Sequence, residues 1–420
     1  MLNLRISINV KKLLFLIFLF IYVFQLPLSR ISMLYISSGL AFIYLIINTK
    51  FLIINKNIVR IILGFLPFYI YFFITMIVHT ICNSGAREAY EQNIEYVILY
   101  TLVTLIAISF LLAVVRNGNY SADNITISFI IITFVQFLCV IFSLLIPSVK
   151  EFFNSFIIRY SHSKAVVNAI IAFGSFRSYG FADNLFDQFG YISALLITIT
   201  FSYGLFYKKK KYIFLSILFF VMPFLNARSG IILGVIGIGT VSLLYMIKNG
   251  ARNIYKLIII FFIICLFGSF MLQNVSSTTS DWIISGAEEM VSLFTSSPRN
   301  GKTISALMND FILPNNLIFG DGGDPNSFGY TGIDVGYVRL IWMFGIVGTI
   351  LLFIGYVNMF IISYKNTIFD YGKAIIISIC VLFFVYLFKL FPIYVLGGNI
   401  ILFGLPIVFM VCSQNAYDPE

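Results

Sequence analysis

Residues 97–115 read VILYTLVTLIAISFLLAVV, nineteen residues without a charge. As a helix rising about 1.5 Å per residue, the run covers about 28 Å, close to the ~30 Å hydrocarbon core of a bilayer. A helix on the surface of a soluble protein carries a polar stripe along one side. This segment has none, so lipid is the solvent it fits.

The same signal repeats along the chain. Twelve runs qualify: 12–28, 31–49, 61–80, 97–115, 125–147, 189–207, 212–226, 229–247, 257–273, 336–358, 374–390 and 395–412. The expected fold is therefore an all-α, polytopic membrane bundle of about twelve spans, with residues 1–420 forming a single membrane domain. The seventh run is short and holds Pro223, which predicts a kink or partial insertion. The first run lacks a small-residue cleavage site and a second span follows at once, which reads as an anchor rather than a removed signal. Composition agrees with lipid as the solvent. Of 420 residues, 60% are hydrophobic and 10% charged, where a soluble domain needs about a quarter charged. Aromatic residues make up 18%, a share that interfacial belts absorb without any ligand.

The net charge of +10 suggests nucleic acid only if its distribution is ignored. With twelve spans, both termini and every even-to-odd connection share one side. That side holds 16 of the 27 basic residues, Lys208 to Lys211 among them, and 4 of the 17 acids. The positive-inside rule puts it, with both termini, in the cytoplasm. The lysine run then reads as a topology signal, and no nucleic-acid partner is implied. The five cysteines form no CxxC pair, and His79 and His162 are far apart in sequence. No disulfide framework, metal or cofactor is expected.

Two connections are long, about 148–188 and about 274–335, and both fall on the external side. Within them, EFFNSFIIRY (151–160) and DWIISGAEEMVSLF (281–294) have the periodicity of helices with one apolar face. The external side also holds arginines against the charge bias: Arg159 and Arg177 in the first loop, Arg299 in the second, and Arg228 in the turn before the eighth run. Such a cluster can clamp a diphosphate, because the planar guanidinium fork matches phosphate oxygens. The competing reading is that each arginine pairs with an acid or snorkels to headgroups.

Three segments concentrate the polar chemistry. RSYGFADNLFDQFGY (177–191) places Arg177, a turn glycine (Gly180), Asn184 and two acids just before a span, with Tyr179, Phe181 and Phe189 available either for sugar faces or as an aromatic belt. NARSG (226–230) sets Arg228 at a helix start, where backbone N–H groups favour an anion. FGDGGDPNSFGYTGIDVGYVRLIWMFGIVG (319–348) begins as a tight Gly/Asp/Asn loop and ends inside a span. Asp334 sits at that boundary, as a proton acceptor, a sugar contact or a helix cap.

In these segments the chain resembles the O-antigen polymerase and ligase superfamily, the integral-membrane glycosyltransferases of the Wzy-dependent pathway. RSYGF is similar to the family's Arg-x-x-Gly element, with Asp183 where a proline often precedes the asparagine. ARSG is similar to its Ser-Arg-x-Gly turn, with Ala227 for serine. GYTGIDVGYVRLIWMFGIVG resembles the polymerase Asp-x-Gly-Tyr segment followed by Gly-Ile-x-Gly. The ligase branch tends to carry His-Asn where Asp334 and Val335 stand. The Arg-x10-Gly pattern of some polymerases is absent: Ile170, Gln188 and Asp310 occupy the glycine positions.

The resemblance implies a polymerase of the bacterial inner membrane that moves an undecaprenyl-diphosphate-linked oligosaccharide onto a new lipid-linked repeat unit in the periplasmic leaflet. Its partners would be that lipid-linked donor, the bilayer and a membrane-anchored chain-length regulator. It implies Arg177 and Arg228 at the donor diphosphate, and Asp334 as the acceptor contact. Arg299, Arg159, Gly180, Asn184, Tyr179 and His162 are the further substrate-binding candidates. Three rival readings stand beside it: the ligase, a twelve-span flippase or transporter, and an acyltransferase or peptidoglycan-type glycosyltransferase of similar span count, the acyltransferase with a catalytic histidine inside the membrane region.

Overall fold

The computed structural model describes residues 10–29, 31–51, 55–82, 86–118, 120–161, 167–168, 170–171, 177–183, 186–250, 284, 311–330, 335–389 and 395–415. Among them the chain is helical and forms no strand. The helices are α1 (Val10–Phe24), α2 (Met33–Ile47), α3 (Lys56–Cys82), α4 (Arg87–Gly118), α5 (Ala122–Leu145), α6 (Pro147–Tyr160) and α7 (Phe186–Phe206). They continue with α8 (Lys210–Leu218), α9 (Val221–Asn226), α10 (Arg228–Asn249), α11 (Gly336–Asn366), α12 (Asp370–Tyr386), α13 (Leu396–Asn399) and α14 (Leu405–Asn415). A π-helical turn, Ile400–Gly404, joins the last two.

Seven of these elements are long and apolar enough to cross a membrane: α3, α4, α5, α7, α10, α11 and the α13–α14 unit. Each coincides with an expected run. The other five expected spans are not established. α1 and α2 have 15 residues each and α12 has 17, so they cover about 22–26 Å. The seventh run is broken into α8 and α9 at Phe219–Phe220, four residues before Pro223. The ninth run, 257–273, lies outside the described residues, as does 281–294. EFFNSFIIRY forms most of α6, with Pro147 at its start, where a missing N–H costs nothing.

α7 is the centre of the bundle, buried from Phe189 to Gly204. It packs against α10 at a backbone crossing, where a Cβ on Gly230 would stand 2.6 Å from the Gly190 Cα. Small residues at such a crossing let two membrane helices approach closely. α3 lies at the periphery and exposes Ile62, Leu66, Ile70, Phe73, Ile77 and Ile81. In a bilayer this face meets acyl chains, so its exposure carries no hydrophobic penalty.

Polar latches identify two ends. At one, Asp123 accepts from Tyr207 (2.8 Å) and Tyr371 (2.7 Å), Asn57 donates to Asn366 (3.1 Å), and Lys248 pairs with Asp370. Lys208 and Lys209 link α7 to α8, and Lys210 and Lys211 begin α8, at this end. At the other end, Asp183 N–H donates to the Phe24 carbonyl (3.2 Å) and Tyr337 N–H to that of Leu387 (3.1 Å). There too, Asn93 donates to the Gly322 carbonyl (2.9 Å). The described parts of both long connections therefore meet at the end remote from the lysine run.

α11 is interrupted. Gly345 has φ 67° and ψ 179°, which breaks the helix one third of the way along. The loop before it fills the gap. Ile346 N–H donates to the Leu317 carbonyl (2.8 Å) and Asp321 N–H to that of Trp342 (2.9 Å). Trp342 Nε1–H reaches the Ile312 carbonyl (2.7 Å), and the Tyr71 hydroxyl donates to the Phe344 carbonyl (2.9 Å). Backbone groups freed within a membrane need such partners, because lipid offers none.

Candidate functional site

Residues 177–183 approach α7 as an irregular segment clamped from two sides. Asn226, the fully buried last residue of α9, accepts from Ser178 N–H (2.9 Å) and donates to the Ser178 carbonyl (2.7 Å). Gln136 of α5 donates to the Tyr179 carbonyl (2.7 Å). Gly180 has φ 63°, and a Cβ there would lie 3.0 Å from Gln136 Nε2 and 3.1 Å from both Cys139 Cβ and Val140 N. Only glycine combines that left-handed backbone with so little room.

Arg177 is half-buried. Its guanidinium lies 4.7 Å from the Phe186 ring centre, and Nη1 donates to the Tyr179 hydroxyl (3.1 Å). Burial pushes the Tyr179 phenol up to about 12, with Arg177 pulling it back down in part, so the phenol is neutral at pH 7.

The Ser178–Asn226 exchange has a further effect. Arg177 precedes Ser178, and Arg228 lies two residues after Asn226, so segments fifty residues apart are held side by side. Arg228 is the first residue of α10, whose N-cap is Ala227 and lacks a capping side chain. The positive end of that helix is left to another partner. Asp187 ties the region together. It accepts from the Ser229 hydroxyl (2.5 Å) and pairs with Lys389 at 3.8 Å.

Next to α7 lies a polar cavity of about 360 Å³, lined by Gln92, Tyr96, Tyr100, Gln188, Asp324, Asn326, Ser327 and Arg339. Gln188 comes from the first turn of α7, where the first long connection ends, and Asp324, Asn326 and Ser327 come from the second connection. Arg339 meets Asp324 through Nε–Oδ2 at 3.2 Å and Nη2–Oδ1 at 3.4 Å. Asp324 also accepts from Asn326 N–H (3.0 Å) and Nδ2 (2.7 Å), and Ser327 donates to Gln92 (3.2 Å).

Tyr96 and Tyr100 belong to a second cavity as well. This one is an apolar slot of about 420 Å³ between α3, α4, α11 and the π-helical turn. It runs along α3 from Tyr69 to Ile58 and along α4 from Tyr96 to Leu112, a length of about 24 Å on α4. The two tyrosine rings, stacked at 5.7 Å and 13°, line both the polar cavity and the apolar slot.

The expected residues fare unevenly. Arg177, Arg228 and Gly180 share one structural unit. Arg159 is exposed at the end of α6, 5.3 Å from the Tyr160 ring centre. His162, Asn184, Arg299 and Asp334 lie outside the described residues. The stacking reading of the rings needs correction for two of them. Tyr179 and Phe189 are buried against each other at 6.0 Å and offer no face to a sugar. Phe181 packs on Phe153 (5.2 Å) and Phe156 (5.8 Å) of α6. The sequence reading missed Gln92, Asp324 and Arg339 as lining residues. The first was hidden because the apolar run begins at Val97, whereas α4 begins ten residues earlier. The polar stretch REAYEQNIEY was the available signal.

Among the described residues, no group of three or more His, Cys, Asp or Glu side chains is placed to hold a metal ion. No family model matches the chain, and no curated protein matches its sequence.

Proposed function

We propose that this chain is a polysaccharide polymerase of the bacterial inner membrane, with both termini in the cytoplasm. It transfers an undecaprenyl-diphosphate-linked oligosaccharide onto a second lipid-linked repeat unit at the periplasmic face. One observation carries this reading: the apolar slot and the polar cavity share Tyr96 and Tyr100. Two neighbouring cavities, one long and apolar and one compact and polar, suit an amphipathic substrate whose tail lies in the membrane and whose sugars lie at its surface.

In the proposed reaction an acceptor sugar hydroxyl attacks C1 of the donor. The new glycosidic bond forms as the C1–O bond to the diphosphate breaks, and lipid diphosphate leaves with that electron pair. Arg177 and Arg228 stabilise the charge that develops on the leaving group, as a preorganised electrostatic site does. The hydroxyl proton passes to a base, for which Asp334 is the first candidate and His162 the second. Arg299 and Arg159 assist at the donor. A membrane-anchored chain-length regulator is the expected protein partner.

A flippase is the second reading, and the break at Gly345 is the observation that favours it, since transporters use discontinuous helices. Here, however, the break is filled by the chain's own loop. The test is deletion of the gene in its host, followed by electrophoresis of the lipopolysaccharide. Loss of the ladder with one repeat unit still on lipid A-core is the expected result. Loss of every unit, with long chains accumulating on undecaprenyl diphosphate, means a ligase. Single units trapped on the cytoplasmic face mean a flippase. Complementation with Arg177→Ala or Arg228→Ala is expected to leave chain elongation at least tenfold down at normal protein levels. If both variants restore the full ladder, the assignment of these arginines is wrong.

A further inference from the structure

We infer that the cavity lined by Gln92, Gln188, Asp324, Asn326, Ser327 and Arg339 is a subsite for an uncharged sugar, and that it excludes the diphosphate of the same substrate. The inference rests on the proposed function for the identity of that substrate, and it assigns the cavity a half of the molecule that its one arginine does not suggest.

Charge is the first argument. Among the described lining residues there is one cation, Arg339, and one anion, Asp324, and they face each other through two contacts at 3.2 and 3.4 Å. A guanidinium whose charge is already matched by a neighbouring carboxylate is a weak clamp for a phosphate. An incoming diphosphate would meet the Asp324 carboxylate as well as the arginine. That carboxylate is not free to swing aside, because Oδ1 is held by both the backbone and the side-chain nitrogen of Asn326. The pair itself is well sheltered, with each side chain 16% exposed.

The rest of the lining is the second argument. Gln92, Gln188, Asn326 and Ser327 are neutral, and each can both donate and accept. Sugar hydroxyls also do both, so such a wall can pair with several of them without leaving a charge unmatched. Tyr96 and Tyr100 supply a stacked aromatic surface at the floor of the cavity, against which the C–H face of a sugar ring can lie. At about 360 Å³ the cavity falls near the lower end of the roughly 300–1,000 Å³ range of small-molecule sites.

The geometry also supplies a reporter. Trp342 packs on Tyr330 at 5.0 Å and on Phe328 at 5.6 Å, and these two residues flank the end of the turn that carries Asn326 and Ser327. The sequence has one other tryptophan, Trp282, so a Trp282→Phe background isolates the Trp342 signal.

The full chain, purified in detergent in that background, is titrated with the oligosaccharide repeat unit released by mild acid from the host's own lipid-diphosphate-linked precursor. A parallel titration uses inorganic pyrophosphate, and both are followed by Trp342 emission and by calorimetry. The expected result is saturable binding of the oligosaccharide, at least tenfold weaker in Arg339→Lys and also in Gln92→Ala and Ser327→Ala. The last two change exposed side chains and keep the chain monodisperse. Pyrophosphate neither competes nor loses affinity in Arg339→Gln. No oligosaccharide binding by either readout overturns the inference, as does pyrophosphate binding that Arg339→Gln abolishes. The two readings fail separately. An intact ladder in the deletion strain with oligosaccharide still bound defeats the polymerase and leaves the subsite. A lost ladder with no oligosaccharide bound does the reverse.

Discussion

Replacing Gly345 with alanine tests the broken helix directly. Gly345 occupies φ 67°, ψ 179°, a region open essentially to glycine alone, where another residue costs about 1–3 kcal/mol. The added Cβ would also collide with the Ile318 carbonyl oxygen and come within 2.5 Å of Gly320 N. These are backbone atoms of the inserted loop and cannot rotate away. Overpacking of this kind costs about another 1–3 kcal/mol, for a total of about 2–6 kcal/mol. For a chain of this size about 1 kcal/mol moves the midpoint by roughly 1–2 °C, so Gly345→Ala is expected to melt about 2–12 °C lower. Heating in detergent with a thiol-reactive fluorophore reads this, because Cys139, Cys380 and Cys412 are half-buried and become reactive on unfolding. Gly239→Ala is the control: it lies within α10 with nothing within 4 Å of its Cβ position, and is expected to melt at or slightly above the parent. If the two variants melt within a degree of each other, the loop is not wedged into α11 as described.

Asn226→Ala removes both hydrogen bonds to Ser178 and leaves a buried N–H and a buried carbonyl without them. The cost is about 2–4 kcal/mol by the same melting assay, and unchanged melting would show that Asn226 does not hold the Arg177 segment. Orientation is testable at two points. Cys82 is exposed at the end of α3 remote from the lysine run and is expected to react with a membrane-impermeant maleimide from the periplasm. A Lys209→Cys variant is expected to label there only after the membrane is opened, and the opposite pattern would invert the chain in the bilayer.

Much of the bundle was legible because lipid demands long apolar runs, and α3, α4, α5, α7, α10 and α11 satisfy that demand on their own. What hydropathy could not convey is continuity. The sequence MFGIVG in α11 reads as unbroken, because the break at Gly345 depends on partners supplied by residues 317–321. Pro223 drew attention to the seventh run, yet the chain turns at Phe219–Phe220, where no single residue announces it. For the site, the segments around Arg177 and Arg228 were recognisable from charge placed against the topology bias. That they meet follows from the Ser178–Asn226 exchange, which no periodicity encodes. Gln92 and Arg339 escaped notice for a related reason. A polar residue near the end of a span looks like ordinary interface until another loop closes over it.

The interruption in α11 bears on how the chain is assembled. After Gly345 the helix continues to Asn366, twenty-one residues that suffice to cross a bilayer alone. The nine residues before it, Gly336 to Phe344, span only about 13 Å and cannot do so. The translocon can therefore commit the longer part to lipid while the shorter part and its loop are still outside. Docking of residues 311–322 into the gap is then a later event, made after the surrounding helices have gathered. The wall of the polar cavity at Asp324 and Arg339 is completed only with that docking, so the chain acquires its membrane topology before it acquires its site.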